Sequence, residues 1–169
     1  MKNFRKISPE EIDKTPFEWI GEDWMLVCAQ KPDGSVNAMT ASWGGMGVMW
    51  GKNVAFVVIR PQRYTKEFID SAQTFSLTFF APQYKQELGY LGKVSGRDED
   101  KIAKSGLRVA HSGETPYFEE GKMVMLCKKL YAQPMEKDCF LSADIPEKWY
   151  AAGDYHTLYV AEITSVLAE

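Results

Sequence analysis

The sequence predicts an α+β domain whose core is a mainly antiparallel, six-stranded β-barrel. Three observations carry this prediction: six segments have strand character, only two or three short helical segments lie between them, and their irregular spacing does not suit a doubly wound parallel sheet. With 169 residues, of which 45% are apolar and 25% charged, the chain can build one substantial core. We therefore expect a single domain over residues 1–169, with residues 1–20 as an N-terminal extension.

The first predicted strands form a hairpin. The apolar run at residues 24–30 is followed by Lys31-Pro32-Asp33-Gly34, where proline presets φ and glycine accepts a positive φ, so residues 36–43 can return antiparallel. Glycines interrupt residues 44–51, which predicts a loop or a bulged strand. Residues 54–59 are apolar on both faces, as is typical of a central strand.

The second half of the chain alternates helices with strands. Residues 74–80 are rich in β-branched and aromatic residues and predict a strand. The other predicted elements are helices at 64–72, 84–91 and 98–105, and strands at 122–132 and 156–167.

Charge and cysteine content exclude several classes of protein. The 20 Lys and Arg against 23 Asp and Glu give a net charge of -3, without the basic excess expected of a nucleic-acid-binding protein. No apolar stretch reaches membrane-spanning length, and the first residues lack a secretory signal, so we expect a cytoplasmic protein without a membrane partner. The few thiols and imidazoles lie too far apart to predict a disulfide framework or a metal site: Cys28, Cys127, Cys139, His111 and His156.

Residues 37–43 form the first candidate binding segment. In an extended conformation Ala38, Thr40 and Ser42 share one face, and Asn37, Met39, Ala41 and Trp43 share the other. Small side chains let a ligand approach the backbone, whose N–H and C=O groups can pair with the polar edge of a heterocycle. The same pattern also fits a hairpin strand with a polar outer face.

Residues 60–65, Arg-Pro-Gln-Arg-Tyr-Thr, form the second candidate. Pro61 keeps Arg60 out of a helix, and Thr65 is a predicted N-cap of the helix that follows. Two guanidinium groups at a helix N-terminus make a ready anion site, although an arginine-rich surface turn would have the same sequence. The chain has no P-loop and no G-x-G-x-x-G motif, which disfavours the common nucleotide-binding folds.

The third candidate is the turn at residues 92–101. Its Ser95-Gly96-Arg97 stretch can present amides, a hydroxyl and a cation together, and Asp98 and Glu99 suit the start of a helix. An ordinary solvated turn remains the alternative.

Together and in this order, the three segments resemble the flavin reductase-like proteins of the FMN-binding split-barrel fold, especially their flavoredoxin-like branch. The resemblance rests on N-x-M-T-x-S-W at 37–43, R-P-x-R-Y-T at 60–65 and S-G-R-D-x-D-K at 95–101, and it covers about residues 20–167. Gly153-Asp154, followed by His156, is similar to the family's Gly-Asp-His signature, from which the chain departs by the insertion of Tyr155.

The resemblance implies a six-stranded Greek-key split barrel that forms a homodimer and binds FMN near the subunit interface. By its motifs, the strand along the flavin comprises Asn37, Met39, Thr40, Ala41, Ser42 and Trp43. The ribityl phosphate is assigned to Arg60, Arg63, Tyr64 and Thr65. The site is closed by Ser95, Gly96, Arg97 and Lys101.

The implied function is that of an FMN-dependent oxidoreductase or an electron-transfer flavoprotein, reduced by NADH, NADPH or a redox partner protein. No general base is required for hydride transfer. His156 is a candidate proton donor, with a surface or strand-end histidine as the alternative. The alternative is a non-catalytic split-barrel module that binds haem, another flavin-like cofactor or nothing, or that uses FMN as a sensor.

Aromatic residues make up 13% of the chain, more than an aliphatic core requires. We assign Trp43, Trp50 and Tyr64 to contact with the flavin or its partner. The phenylalanines in strand patterns are assigned to the barrel core or the dimer contact: Phe56, Phe75, Phe79 and Phe80.

Overall fold

The computed structural model describes residues 4–169, in which ten strands and four α-helices follow one another along the chain. The strands are β1 (Arg5–Ile7), β2 (Met25–Gln30), β3 (Val36–Ala41), β4 (Gly44–Met49), β5 (Lys52–Ile59), β6 (Thr74–Phe79), β7 (Val109–Ser112), β8 (Thr115–Phe118), β9 (Met123–Pro134) and β10 (Thr157–Ala168). The helices are α1 (Tyr64–Ser71), α2 (Lys85–Lys93), α3 (Lys101–Ser105) and α4 (Asp144–Trp149).

The described strands form one eight-stranded sheet and a separate β7–β8 hairpin. The order in the large sheet is β3-β2-β6-β9-β10-β5-β4, with β1 paired alongside β10, and every pairing is antiparallel. The two ends of this path, β3 and β4, are separated in sequence only by Ser42 and Trp43. The end of β3 and the start of β4 therefore lie close together at this corner. The α+β class with a mostly antiparallel sheet is confirmed.

The sheet contains two more strands than the six predicted, because β1 and β4 carry weak sequence signals. β1 has only three residues, too few for a recognisable alternation. β4 contains the glycines that predicted a loop or bulged strand, yet it pairs with β5 along its whole length. A Cβ at Gly44 would lie 2.3 Å from the main-chain oxygen of Phe56, so this close approach of two strands requires a glycine.

Two buried clusters lie on opposite sides of β2, whose successive side chains point to opposite faces. On one side Met25 and Val27 belong to a buried cluster with Trp19, Phe75, Phe79 and Tyr159. On the other side Leu26 and Cys28 pack under α2 with Phe80, Leu88, Leu91 and Phe118. Three of the four phenylalanines assigned to the core or the dimer contact are buried, and Phe56 is half-buried. Because both of its faces are covered, β2 is a rigid base for the neighbouring edge strand β3.

None of the helices between residues 4 and 169 has the length and apolar character needed to cross a membrane. In the same part of the chain, no three His, Cys, Asp or Glu side chains come together as a set of metal ligands.

Candidate functional site

A cleft of about 330 Å3 opens where β3 and β5 end and β10 begins. Its volume lies in the range of small-molecule binding sites. The lining residues come from four parts of the chain that the sheet brings together: Met39, Ala41, Ser42 and Trp43; Val58, Arg60 and Arg63; Trp149; and His156.

Strand β3 divides its side chains between the cleft and the helices. Met39 and Ala41 face the cleft, whereas the Thr40 hydroxyl donates to the main-chain oxygen of Leu88 in α2 at 2.5 Å. Within the described sheet β3 pairs with β2 alone, so the sheet leaves the N–H and C=O groups on its outer side unused. Thr40 therefore fixes the strand against α2, and the cleft is formed by its neighbours on the other face.

Helix α1 begins at the edge of the cleft without a side-chain cap. Arg63 occupies the N-cap position in an extended conformation, with φ -71° and ψ 123°, and no side chain accepts a hydrogen bond from the first turn. The prediction that Thr65 is the N-cap is wrong. Thr65 lies inside the first turn, buried to 1% exposure, where its hydroxyl accepts a hydrogen bond of 3.0 Å from Asn37 Nδ2. Because no side chain of the described residues caps them, the Tyr64 and Thr65 N–H groups at the start of α1 can meet an anion.

Two cations near this helix start, Arg63 and Lys101, are held by main-chain oxygens. The Arg63 guanidinium donates to the oxygen of Gly92 at 2.7 Å, and Lys101 Nζ donates to those of Leu91 and Val94, each at 2.9 Å. Neither has a carboxylate partner among residues 4–169. Burial, together with the nearby Arg63 charge, lowers the pKa of Lys101 to about 8. Arg63 lines the cleft, and Lys101 lies buried behind it.

Arg60 also lines the cleft, but its charge is already neutralised. It pairs with Asp154 and donates to the main-chain oxygen of Trp149 at 2.9 Å. Gln62 donates to the same carboxylate at 2.7 Å, and the hydrogen bonds from Gln62 and Arg60 lower the pKa of Asp154. Arg60 therefore ties the segment before β10 to the end of β5, which makes it a weaker anion ligand than Arg63.

The Ser95-Gly96-Arg97 turn packs beside β3 and α1 rather than on the cleft wall. A Cβ at Gly96 would lie 2.4 Å from Asn37 Oδ1, so the turn's backbone rests on that carboxamide. Ser95 Oγ accepts from the Arg97 N–H at 3.2 Å. The Arg97 guanidinium pairs with Glu67 and lies 4.5 Å from the centre of the Tyr64 ring.

Three aromatic rings and His156 form one wall of the cleft and its support. The Trp43 ring lies 5.0 Å from that of Trp149, edge to face, and 5.2 Å from that of His156. Tyr150 stands behind His156, with its hydroxyl 2.7 Å from Nδ1. Trp50, by contrast, is 60% exposed at the turn between β4 and β5 and does not line the cleft.

Sequence reasoning missed Trp149 and Tyr150. Both follow a segment without a strand pattern, and the aromatic excess was the one signal that pointed to such residues.

Of the fourteen predicted cofactor residues, the structure places six on the cleft wall: Met39, Ala41, Ser42, Trp43, Arg60 and Arg63. Six more cluster around the start of α1: Asn37, Tyr64, Thr65, Ser95, Gly96 and Arg97. Thr40 and Lys101 bind main-chain oxygens of α2 and the residue that follows it.

The site has an open strand edge, an aromatic wall and, at an uncapped helix start, an arginine without a carboxylate partner in the described chain. These features define a site for a flat molecule with an anionic group. Residues 17–169 match the family model described as flavin reductase like domain. The chain belongs to the flavin reductase-like family, as its motifs indicated. No curated protein matches the sequence significantly.

Solved structures share the fold. An FMN-binding domain of a flavin reductase-like enzyme from Shewanella baltica OS155 is 16% identical, with a TM-score of 0.70 over 98% of this chain and 77% of that one. Flavoredoxin from Desulfovibrio vulgaris is 24% identical, with a TM-score of 0.68 over 86% of this chain and 69% of that one. An FMN-binding protein from Thermus thermophilus, with bound p-hydroxybenzaldehyde, is 22% identical, with a TM-score of 0.67 over 100% and 82%.

Proposed function

We propose that this protein binds FMN in the cleft and serves as an oxidoreductase or electron-transfer flavoprotein. The observation that carries the proposal is Arg63, a cation without a carboxylate partner in the described chain, placed between an uncapped helix start and an open strand edge. Membership of the flavin reductase-like family supports it, as do the structural neighbours whose names include FMN or flavoredoxin.

The donor set fits a phosphate at one end of the cleft. Arg63 would supply a planar pair of N–H donors, and the first amides of α1 at Tyr64 and Thr65 would add backbone donors aligned with the helix dipole. Lys101 adds long-range positive charge from behind Arg63. An anion of two charges would suit this end, because both cations have main-chain oxygens rather than carboxylates as their partners in the described chain.

The other end of the cleft fits a flat ring. Met39 and Ala41 are small or flexible enough to let a ring approach β3, whose outer backbone edge offers both donors and acceptors. Ser42 and Trp43 continue this wall around the corner of the sheet. We assign the isoalloxazine ring to this end. The strands β2, β3, β5, β6, β9 and β10 would form the family's six-stranded split barrel, with β1 and β4 added at its margins.

Bound flavin supplies hydride and electron transfer at its ring. The chain's own contribution is to hold the phosphate at Arg63 and to limit solvent at the ring through Trp43 and Trp149. Arg60 stays paired with Asp154 and keeps the wall in place. Electrons would come from NADH, NADPH or a redox partner protein. Reduction of the flavin-loaded protein by NADH or NADPH would distinguish this role from a non-catalytic role of the same cleft.

We propose a homodimer as the working assembly. Large apolar side chains stand exposed on β4, on the turn that follows it and on β9: Val48, Trp50, Leu130 and Tyr131. Burial of such side chains against a second copy would be favourable. Sedimentation of the purified protein gives the test, and a monomer at micromolar concentration contradicts the assembly.

The cofactor proposal is tested by titration with FMN and with riboflavin, which lacks the phosphate. The purified protein should absorb at about 450 nm, as bound flavins do. Arg63→Ala should weaken FMN binding by about 2 kcal/mol, roughly thirtyfold, because a charged hydrogen bond is lost, and should leave riboflavin binding unchanged. Arg108→Ala is the matched control, because Arg108 is exposed and pairs with Glu119 and Glu120.

Equal affinity of the wild type for FMN and riboflavin would mean that Arg63 does not bind the phosphate. A failure to bind either flavin would overturn the proposal. Anaerobic mixing of the flavin-loaded protein with NADH then separates the roles. Rapid bleaching identifies a reductase, and its absence with both NADH and NADPH identifies a carrier that another protein reduces or a sensor.

A further inference from the structure

Tyr150 is held rigidly behind the cleft. Its ring stacks on Tyr155 with 4.9 Å between centroids and 30° between planes, and Phe140 packs at 5.6 Å. The Arg60 guanidinium lies 5.2 Å from the centre of the same ring. The phenol therefore has little freedom to turn. Tyr155, the residue between Asp154 and His156, supplies this stacking partner.

The fixed hydroxyl of Tyr150 meets one nitrogen of His156. The distance from the phenol oxygen to Nδ1 is 2.7 Å, that of a strong hydrogen bond. The opposite nitrogen, Nε2, has no hydrogen-bond partner among residues 4–169, and the imidazole lines the cleft. The backbone of His156 is also held in place, because its carbonyl oxygen accepts a hydrogen bond from the Met135 N–H at 2.8 Å.

The imidazole is neutral near neutral pH, because burial and the nearby Arg60 charge lower the pKa of His156 to about 4. A neutral imidazole has one donor and one acceptor nitrogen. Tyr150 can donate either to Nδ1 at 2.7 Å or to the weak acceptor Met135 Sδ at 3.8 Å. The Tyr150 hydroxyl donates to Nδ1, because that hydrogen bond is shorter and nitrogen is the better acceptor. The imidazole proton therefore resides on Nε2.

We infer that Tyr150 is a positioning residue that keeps His156 in its Nε2–H form, which gives the cleft a neutral hydrogen-bond donor beside Trp43 and Trp149. The donor suits a carbonyl oxygen or an unprotonated ring nitrogen of the flat molecule bound there. An ammonium or another N–H at that place would be rejected. That the flat molecule is a flavin rests on the proposed function, whereas the protonation form of His156 does not.

The protonation form is read directly by long-range proton–nitrogen NMR of the ¹⁵N-labelled protein without flavin. The chain has two histidines, so His111→Gln assigns the His156 signals. We expect a single Nε2–H form in the wild type and a mixture of both forms in Tyr150→Phe, which keeps the ring and loses the hydroxyl. Tyr155→Phe is the control: it keeps the stacking ring and should leave the single form unchanged.

An Nδ1–H form in the wild type, or an unchanged spectrum in Tyr150→Phe, overturns the positioning role. Addition of FMN tests the donor separately. We expect the Nε2–H proton resonance to shift downfield on binding, and binding without a shift overturns the donor role. A failure of FMN to bind at all contradicts the proposed function and leaves the flavin-free result standing.

Discussion

Replacement of Gly96 by alanine tests how the 95–97 turn is coupled to the cleft. The added Cβ would lie 2.4 Å from Asn37 Oδ1 and 3.0 Å from its Cγ. Relief of this overlap needs a displacement of about 1 Å, and the Asn37 carboxamide is the group in the way. Asn37 is buried and donates to Thr65 at 3.0 Å, so the displacement breaks a buried hydrogen bond. We expect the variant to lose about 1–3 kcal/mol of unfolding free energy.

Urea denaturation measures this loss as a lower midpoint at an unchanged slope. Gly89→Ala is the matched control, because it lies in α2 with nothing within 4 Å of the added Cβ, and alanine should raise stability there by about 0.5–1 kcal/mol. FMN affinity should fall in Gly96→Ala only, since Thr65 belongs to the first turn of α1. If Gly96→Ala is as stable as the wild type, the turn does not rest on Asn37 and this account of the site's support is wrong.

Three further predictions concern titration, thiols and the aromatic wall. The folded pKa of His156, about 4, lies below its unfolded value of about 6.5, so the unfolded chain binds more protons between these values; stability should fall by up to about 3 kcal/mol as the pH drops through this window, and calorimetry should find that component missing in His156→Gln. A water-soluble aromatic disulfide should react rapidly with Cys139 alone in the native protein and with all three thiols in urea, because burial raises the pKa values of Cys28 and Cys127. Trp43→Leu should brighten the fluorescence of bound FMN severalfold by removing an adjacent electron-rich ring, and unchanged emission would place the flavin elsewhere.

Local sequence patterns predicted which segments form the site better than they predicted the contacts between those segments. The hairpin of β2 and β3 follows from an apolar run, a Pro-Asp-Gly turn and a second strand pattern, and all of these are local signals. The turn at 60–65 and the start of α1 at Tyr64 follow from Pro61 and the helical spacing after it. For these elements short-range chemistry decides the structure.

The pairing of side chains that lie far apart in the sequence could not be predicted in the same way. Asp154, ninety-four residues after Arg60, neutralises that arginine, while Arg63 three positions later has no carboxylate in the described chain. The two look equivalent in sequence, and only the pairing of β5 with β10 brings the acid to one of them. Thr65 was misassigned for a similar reason, because its hydroxyl is taken by a strand side chain rather than by its own helix.

The two-residue link between β3 and β4 has a consequence for how the protein can evolve. Ser42 and Trp43 join both margins of the sheet and also face the cleft. A substitution that reshapes ligand contact at Trp43 therefore also alters the link between the two outermost strands, and an inserted residue would lengthen that link. Ligand preference should change more readily at Met39 or Trp149, which line the same cleft without joining the two margins. The fold therefore restricts changes in ligand preference to those cleft residues that do not link the two outermost strands.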